Sequence, residues 1–542
     1  MLEGLIQDYQ LTLPAILRRA EELYGPKEIV TREPDMSFHR YTYADFVARS
    51  KQLAVALGEL GLQKGDRVAT LAWNTYQHLE AYFGVPSAGL VLHTINPRLP
   101  EKDLAYIINH AEDKVLFIDE AFVELLAGIK DEVDLEHIYV FSADGSAPEG
   151  LESYEGLLNS ADEAEFEYPE LDEADAAALC YTSGTTGRPK GALYSHRSIC
   201  LHSFALAAAD GLGIRERDVV LPVVPMFHVN AWGVPFAATM VGAKQVMPGP
   251  HLDPESLLEE FEQERVTFTS GVPTVFLAVL QTLDEDPDAY DLSSMRTMAV
   301  GGSAAPESMI RGFDERHGLK VLHAWGMTET NPVATVCHLT GELLEAPEDE
   351  QYKYRAKQGF PLPFIEIRAR GDDEGFVPWD GETMGELEVR GPWVASSYFN
   401  TDEGDDKFTE DGWFKTGDIV TIEPQGYVEI RDRDKDLVKS GGEWISSVDL
   451  ENAIMGHEAV AEAAVIAIPH EKWDERPLAV VVLKEGQDVD PEDLLSHLEG
   501  DFAKWQLPDA VEFVDEIPRT ATGKFLKMEL REQFKNYQFA QS

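Results

Sequence analysis

Short apolar runs of strand length alternate along the chain with stretches whose apolar residues recur every three or four positions. Leu13-Pro14-Ala15-Ile16-Leu17-Arg18-Arg19-Ala20 has helical spacing, and Phe38-His39-Arg40-Tyr41-Thr42-Tyr43 has strand character. An amphipathic helix is predicted from Tyr43 through Leu57, a strand at 67–71, a helix over 76–88, a strand at 91–97, a helix over 101–111 and a strand at 115–119. This β-α-β-α rhythm predicts an α/β fold with parallel sheets covered by helices. Residues 143–175 are acidic and rich in Gly, Pro and Ser, and read as loop plus linker. The rhythm then resumes, and strands are predicted to end near 228, 271, 301 and 326. Ligands of open α/β sheets sit beyond such carboxyl ends. From Ile365 the texture turns to short strands with turn signals, which predicts a small β-barrel. Arg431-Asp432-Arg433-Asp434-Lys435-Asp436 is a charge-dense break. It divides the chain into a large domain, 1–432, and a small α+β domain, 433–542.

Composition narrows the function. The 542 residues hold 98 Asp+Glu against 45 Lys+Arg, a formal net charge of −53. Such a surface disfavours nucleic acid and anionic membranes as partners. A hydrophobic content of 44% argues against disorder, so the charge reads as an acidic surface suited to high salt, a halophilic protein. No run of about twenty apolar residues predicts a membrane span. The first residues lack a basic segment followed by an apolar one, so no secretory signal is expected. Three scattered cysteines, Cys180, Cys200 and Cys337, fit neither a disulfide frame nor a metal knuckle, and a reducing cytoplasm is expected.

Candidate chemistry concentrates in Tyr181-Thr182-Ser183-Gly184-Thr185-Thr186-Gly187-Arg188-Pro189-Lys190-Gly191. Glycines let backbone N–H groups approach an anion, hydroxyls add donors, and Lys190 adds charge. The stretch reads as a phosphate-holding loop between two short strands. It is not a Walker loop, because the G-x-x-x-x-G-K-[ST] spacing is absent and Pro189 stands where a helix would begin. Further along, Glu329 in Trp325-Gly326-Met327-Thr328-Glu329 offers a hard oxygen at a strand end. Together with Thr182 it suits an octahedral Mg²⁺ that keeps phosphate oxygens and water. His228 and Trp232 lie four apart, on one face of a helix if the segment is helical.

The phosphate loop resembles that of the adenylate-forming superfamily, which includes acyl-CoA synthetases, firefly-type luciferases and peptide-synthetase adenylation domains. The likeness continues, in order, through the rest of the chain to Ile517-Pro518-Arg519-Thr520-Ala521-Thr522-Gly523-Lys524. It implies that Thr182, Ser183, Gly184, Thr185, Thr186, Gly187 and Lys190 hold ATP phosphates. Gly302, Ser303 and Ala304 resemble the adenine platform. His323, Ala324, Trp325, Gly326, Met327 and Thr328 line adenine and α-phosphate, and Asp418 with Arg433 binds ribose. Lys524 contacts the reacting carboxylate and α-phosphate. Lys435 falls at the hinge position. Lys439 and Trp444 reach the nucleotide in one pose, while Lys439, Gly441, Gly442 and Glu443 border coenzyme A in the other. Asp432 and Lys435 depart from the Gly and Asp that many relatives carry there. The run Pro225-Met226-Phe227-His228-Val229-Asn230-Ala231-Trp232 resembles fatty acyl-CoA synthetases. That likeness assigns His228 a catalytic, acyl-site position and Trp232 the gate of an apolar tunnel, with Val229, Gly271, Val272, Pro273, Thr274 and Gly301 as wall.

The reading that follows is an ATP-dependent fatty acyl-CoA synthetase for medium- to long-chain acids. Its partners are a fatty acid, ATP with Mg²⁺ and coenzyme A, and a homodimer is the assembly considered. The alternatives are an adenylating enzyme with another acid or thiol acceptor, such as a methylmercaptopropionate ligase, an aryl-acid ligase or a carrier-protein loader, and a catalytically silent acyl-nucleotide-binding protein.

Overall fold

The helical spacing near the N-terminus becomes the helix Leu13–Tyr24, which turns Leu13, Ile16, Leu17 and Ala20 inward. The computed structural model describes residues 4–182, 188–371, 375–440, 443–470, 472–500, 502–519, 525–537 and 539. Among these, two large sheets face one another across buried helices. One runs, edge to edge, through strands Glu152–Ser153, His137–Phe141, Asp113–Asp119, Arg67–Leu71, Val91–Thr94, Ala176–Tyr181 and Gly191–Ser195. All its pairs are parallel except the last, where Ala176–Tyr181 meets Gly191–Ser195 as a hairpin around the phosphate-loop stretch. The other sheet holds six parallel strands at its centre, including Val219–Pro222, Phe268–Gly271, Thr297–Val300 and Val321–Gly326.

The helix Tyr76–Ser87 is buried at every position, because it lies between the two sheets and has no solvent face. Its core cluster joins Val68, Val115 and Phe117 of one sheet to Ile29 and Met247 of the other. Parallel strands buried on both faces explain the near-continuous apolar runs of the sequence.

The small barrel expected after Ile365 is instead an open antiparallel sheet of four strands. Glu366–Arg370 and Val428–Arg433 form its edges, and Gly385–Arg390 and Phe414–Ile422 its centre. Its inner face, with Leu387, Val389, Phe414 and Val420, packs on Trp325 and Val333 of the nine-stranded sheet. That packing gives the apolar positions a partner, so the edges need not close on each other. The linker expected over 143–175 contains a helix, Tyr154–Asn159. It is capped by Ser153, whose side chain accepts from Gly156 N. A further helix, Glu348–Arg355, precedes the four-stranded sheet.

The chain leaves the four-stranded sheet at Arg433 and enters the last sheet at Val438. There Val460–His470 pairs with Asp474–Leu483, flanked by the helices Ser447–Met455 and Pro491–Leu498. Among the described residues no helix is long and apolar enough to cross a membrane.

Candidate active site

The carboxyl ends of the central strands converge on a cavity of about 550 Å³ roofed by the C-terminal lobe. Thr182 and Lys190 stand at the foot of the phosphate loop. Thr182 N donates to Lys190 O at 2.9 Å, and Lys190 N donates to Thr182 Oγ1 at 3.1 Å, which closes the base of the loop. Ser183, Gly184, Thr185, Thr186 and Gly187 lie outside the described residues. Both Thr182 and Lys190 line the cavity, as do Gly326, Met327, Thr328 and Glu329 across from them.

Glu329 is buried, and its Oε1 accepts from the Tyr398 hydroxyl at 2.6 Å. The carbonyl of Thr328 accepts from the Tyr194 hydroxyl at 2.6 Å. Two buried phenols therefore fix this strand end. Gly326 has no room for a side chain, since a Cβ there would lie 2.0 Å from the Pro332 carbonyl oxygen. Tyr398 was not singled out from the sequence. Its position in Ser397-Tyr398-Phe399-Asn400, an aromatic in a turn-rich stretch, was the available signal.

Asp418 is buried in the four-stranded sheet. Its Oδ2 accepts from Trp325 Nε1 at 3.1 Å, and its Oδ1 pairs with Arg433 Nε at 2.8 Å. Thr416 Oγ1 accepts from Asp418 N at 3.1 Å and fixes the backbone, while Trp325 and Arg433 hold the carboxylate from two sides. It faces a second cavity, of about 220 Å³, which shares Gly302, Ala324, Trp325, Gly326 and Arg433 with the first. Ser303, Ala304 and His323 line this second cavity too. Burial lowers the His323 pKa, and its Nδ1 lies 2.9 Å from Ala356 O, so the ring is a neutral wall.

His228, Val229, Trp232 and Gly301 also line the larger cavity. The expected helix there is a left-handed turn. Val229, Asn230, Ala231 and Trp232 have φ of 45°, 53°, 49° and 58°, and Gly233 follows at 72°. L-residues disfavour this conformation, so surrounding contacts must impose it. Asn230 Oδ1 accepts from Thr94 Oγ1 at 3.3 Å, and a Cβ on Gly233 would meet His202 Nδ1 at 2.7 Å. His202, held down to about 3 by burial, is neutral and accepts from Val333 N at 3.1 Å. His228 and Trp232 face one cavity through this turn and not through a helical face.

The remaining expected acyl wall divides. Pro273 and Thr274 line the smaller cavity, whereas Gly271 and Val272 line neither. Lys435 and Arg433 line the larger one, joined by Phe525, Leu526 and Lys527 from the C-terminal lobe. Lys524 lies outside the described residues, one position before Phe525. Lys439 and Trp444 border neither cavity. They sit opposite each other on the hairpin of Val438–Ser440 and Glu443–Ile445, with Lys439 Nζ 4.4 Å from the Trp444 ring centre. Gly441 and Gly442 also lie outside the described residues, and Glu443 opens the second strand of that hairpin. No cluster of three metal-ligating side chains occurs among the described residues. Glu329 and Thr182 each present a hard oxygen among the residues that line the larger cavity.

Thr182, Lys190 and Glu329 in one cavity, and the buried Asp418 in the cavity that adjoins it, thus lie between the sheets and the C-terminal segment. Residues 17–399 match the family of AMP-binding enzymes, and residues 449–524 match the AMP-binding enzyme C-terminal domain. The chain belongs to the AMP-binding enzyme family. As a member it is an AMP-forming acid–thiol ligase that uses ATP and coenzyme A. It is 51% identical to a long-chain-fatty-acid–CoA ligase of Thermus thermophilus, over 98% of this chain and 97% of that protein. It is 46% identical to a 3-methylmercaptopropionyl-CoA ligase of Ruegeria lacuscaerulensis, over 98% and 99%. The fold is similar to the crystal structure of an anthranilate CoA ligase in complex with anthranoyl-AMP. There the TM-score is 0.88 at 26% identity, covering 98% of each chain.

Proposed function

We propose that the family member converts a medium- to long-chain fatty acid into its acyl-CoA, by way of acyl-AMP and with release of pyrophosphate. The observation that carries this is one cavity lined by both kinds of group, with Thr182, Lys190 and Glu329 supplying polar atoms and Val229, Trp232 and Gly301 apolar surface. A mixed anhydride of a fatty acid and AMP needs both kinds of lining.

In this reading Lys190 and the loop above it orient the phosphates, while Asp418 accepts from the ribose hydroxyls and Trp325 keeps its carboxylate in place. Glu329 and Thr182 hold the Mg²⁺ that arrives with ATP and neutralises phosphate charge. The chain from 433 onward moves as a lobe about Lys435. In one pose it brings Lys524 to the carboxylate and α-phosphate. In the other it brings the hairpin of Lys439, Gly441, Gly442 and Glu443 to coenzyme A, and Trp444 moves with it. His228 and Trp232 border the reacting acyl group, and the buried free cysteines suit a reducing cytoplasm.

A panel of acids from short to long chain, assayed in high salt for CoA-dependent AMP release, tests the substrate. Activity rising through medium and long chains is expected. The 46% identity to a 3-methylmercaptopropionyl-CoA ligase favours one specific alternative, so that acid belongs in the panel. A clear preference for it over fatty acids would replace the reading.

A further inference from the structure

Beneath the smaller cavity, ionisable side chains of both lobes are buried against each other. Asp432, on the edge strand Val428–Arg433 of the large lobe, is 1% exposed. Its Oδ2 accepts from Ser447 N at 2.7 Å and Ser447 Oγ at 2.6 Å, at the start of the helix Ser447–Met455 in the small lobe. Lys527 Nζ donates to that same Ser447 Oγ at 2.6 Å and pairs with Glu451 Oε1 at 2.6 Å. Glu451 Oε1 accepts in turn from Val465 N at 2.7 Å. The chain of contacts therefore runs from the large lobe's sheet to the small lobe's core. Asp432 and Lys527 both line the smaller cavity, and Lys527 also lines the larger one.

We propose that Asp432, Ser447, Lys527 and Glu451 form an interlobe latch. It holds the small lobe in the pose for acyl-adenylate formation, and it opens before the thiol reacts. The inference rests on the two-step reading above. Asp432 pairs with Ile419 in the four-stranded sheet and stays with the large lobe. Ser447, Glu451 and Lys527 travel with the small lobe, and the turn 434–437 is the covalent link between them. Rotation about Lys435 must therefore part Asp432 from Ser447. The latch also anchors the chain that follows Lys524 in sequence. Arg519 and Phe525 bridge across the loop 520–524, Leu526 N donates to Pro518 O at 2.7 Å, and Lys527 follows directly. Anchoring Lys527 fixes the stem of that loop against the cavity. Buried charges are tolerable here because each is hydrogen-bonded, and removing one partner leaves the others exposed to the full cost of burial. Asp432, Ser447, Glu451 and Lys527 are positioning residues in this scheme.

The test separates the half-reactions. Acid-dependent exchange of pyrophosphate into ATP, without CoA, reads adenylation. Thioester formation from supplied acyl-AMP and CoA reads the second step. Asp432→Asn and Ser447→Ala should each lower exchange by about tenfold, as the latched pose loses population, and leave thioester formation unchanged or faster. Trypsin should also cut the 434–437 turn faster in both variants. Ser447→Ala keeps every charge, so it serves if Asp432→Asn fails to fold. Equal loss of both half-reactions, or unaltered exchange, overturns the latch. An absence of exchange in the wild type would remove the adenylation reading itself, and the latch with it.

Discussion

Glu260 shows how one side chain can carry a measurable cost. It lies on the helix Pro254–Gln263, is fully buried, and neither carboxyl oxygen has a hydrogen-bond partner. Burial, opposed by Arg32, pushes its pKa up to about 8. A carboxyl whose folded pKa exceeds its unfolded value binds more protons when folded. Its stabilising effect is therefore present at low pH and is lost as pH rises from about 4.5 to about 8. Glu260→Gln should raise stability by about 2 kcal/mol at pH 8–9, with the gain vanishing near pH 4. Urea unfolding across that range checks this, and a pH-independent difference would contradict it. Lys524→Ala should cut carboxylate-dependent pyrophosphate exchange by roughly 10²–10³ while sparing thioester formation from supplied acyl-AMP.

Elements of regular pattern were legible in the sequence, and those made by context were not. The helix at 101–111 matches the predicted span, because its apolar spacing and flanking residues agree. The small sheet was read as strands but not as open, since closure depends on Trp325 and Val333 arriving from another sheet. The hydroxyl- and glycine-rich stretch was singled out by composition alone, and Thr182 and Lys190 at its ends line the larger cavity. The left-handed turn at 229–232 could not be read, because no local residue preference favours four such residues in a row. The contacts that impose it, from Thr94, Cys180 and His202, are distant in sequence. That turn carries Trp232 into the cavity. Trp232→Ala should shift the kcat/KM ratio between medium- and long-chain acids by about tenfold or more, with the KM for ATP little changed. An unaltered acid profile would remove Trp232 from the acyl path.

For the whole molecule, charge and closure dominate. A net charge of −53 on one chain is self-repelling, and screening falls as the Debye length grows from about 3 Å at 1 M salt to about 30 Å at 0.01 M. We propose that the fold depends on salt, so its Tm should fall on dialysis into dilute buffer and recover in about 1 M KCl. An equal Tm in both would contradict that. Closure of two lobes over one nucleotide is the larger claim, since it makes the anhydride before the sulfur arrives. The most direct measurement follows the nucleotide when salt-maintained enzyme is given ATP, Mg²⁺, coenzyme A and a fatty acid. One AMP and one pyrophosphate are expected for each thioester formed. ADP and phosphate appearing in step with thioester would contradict the account.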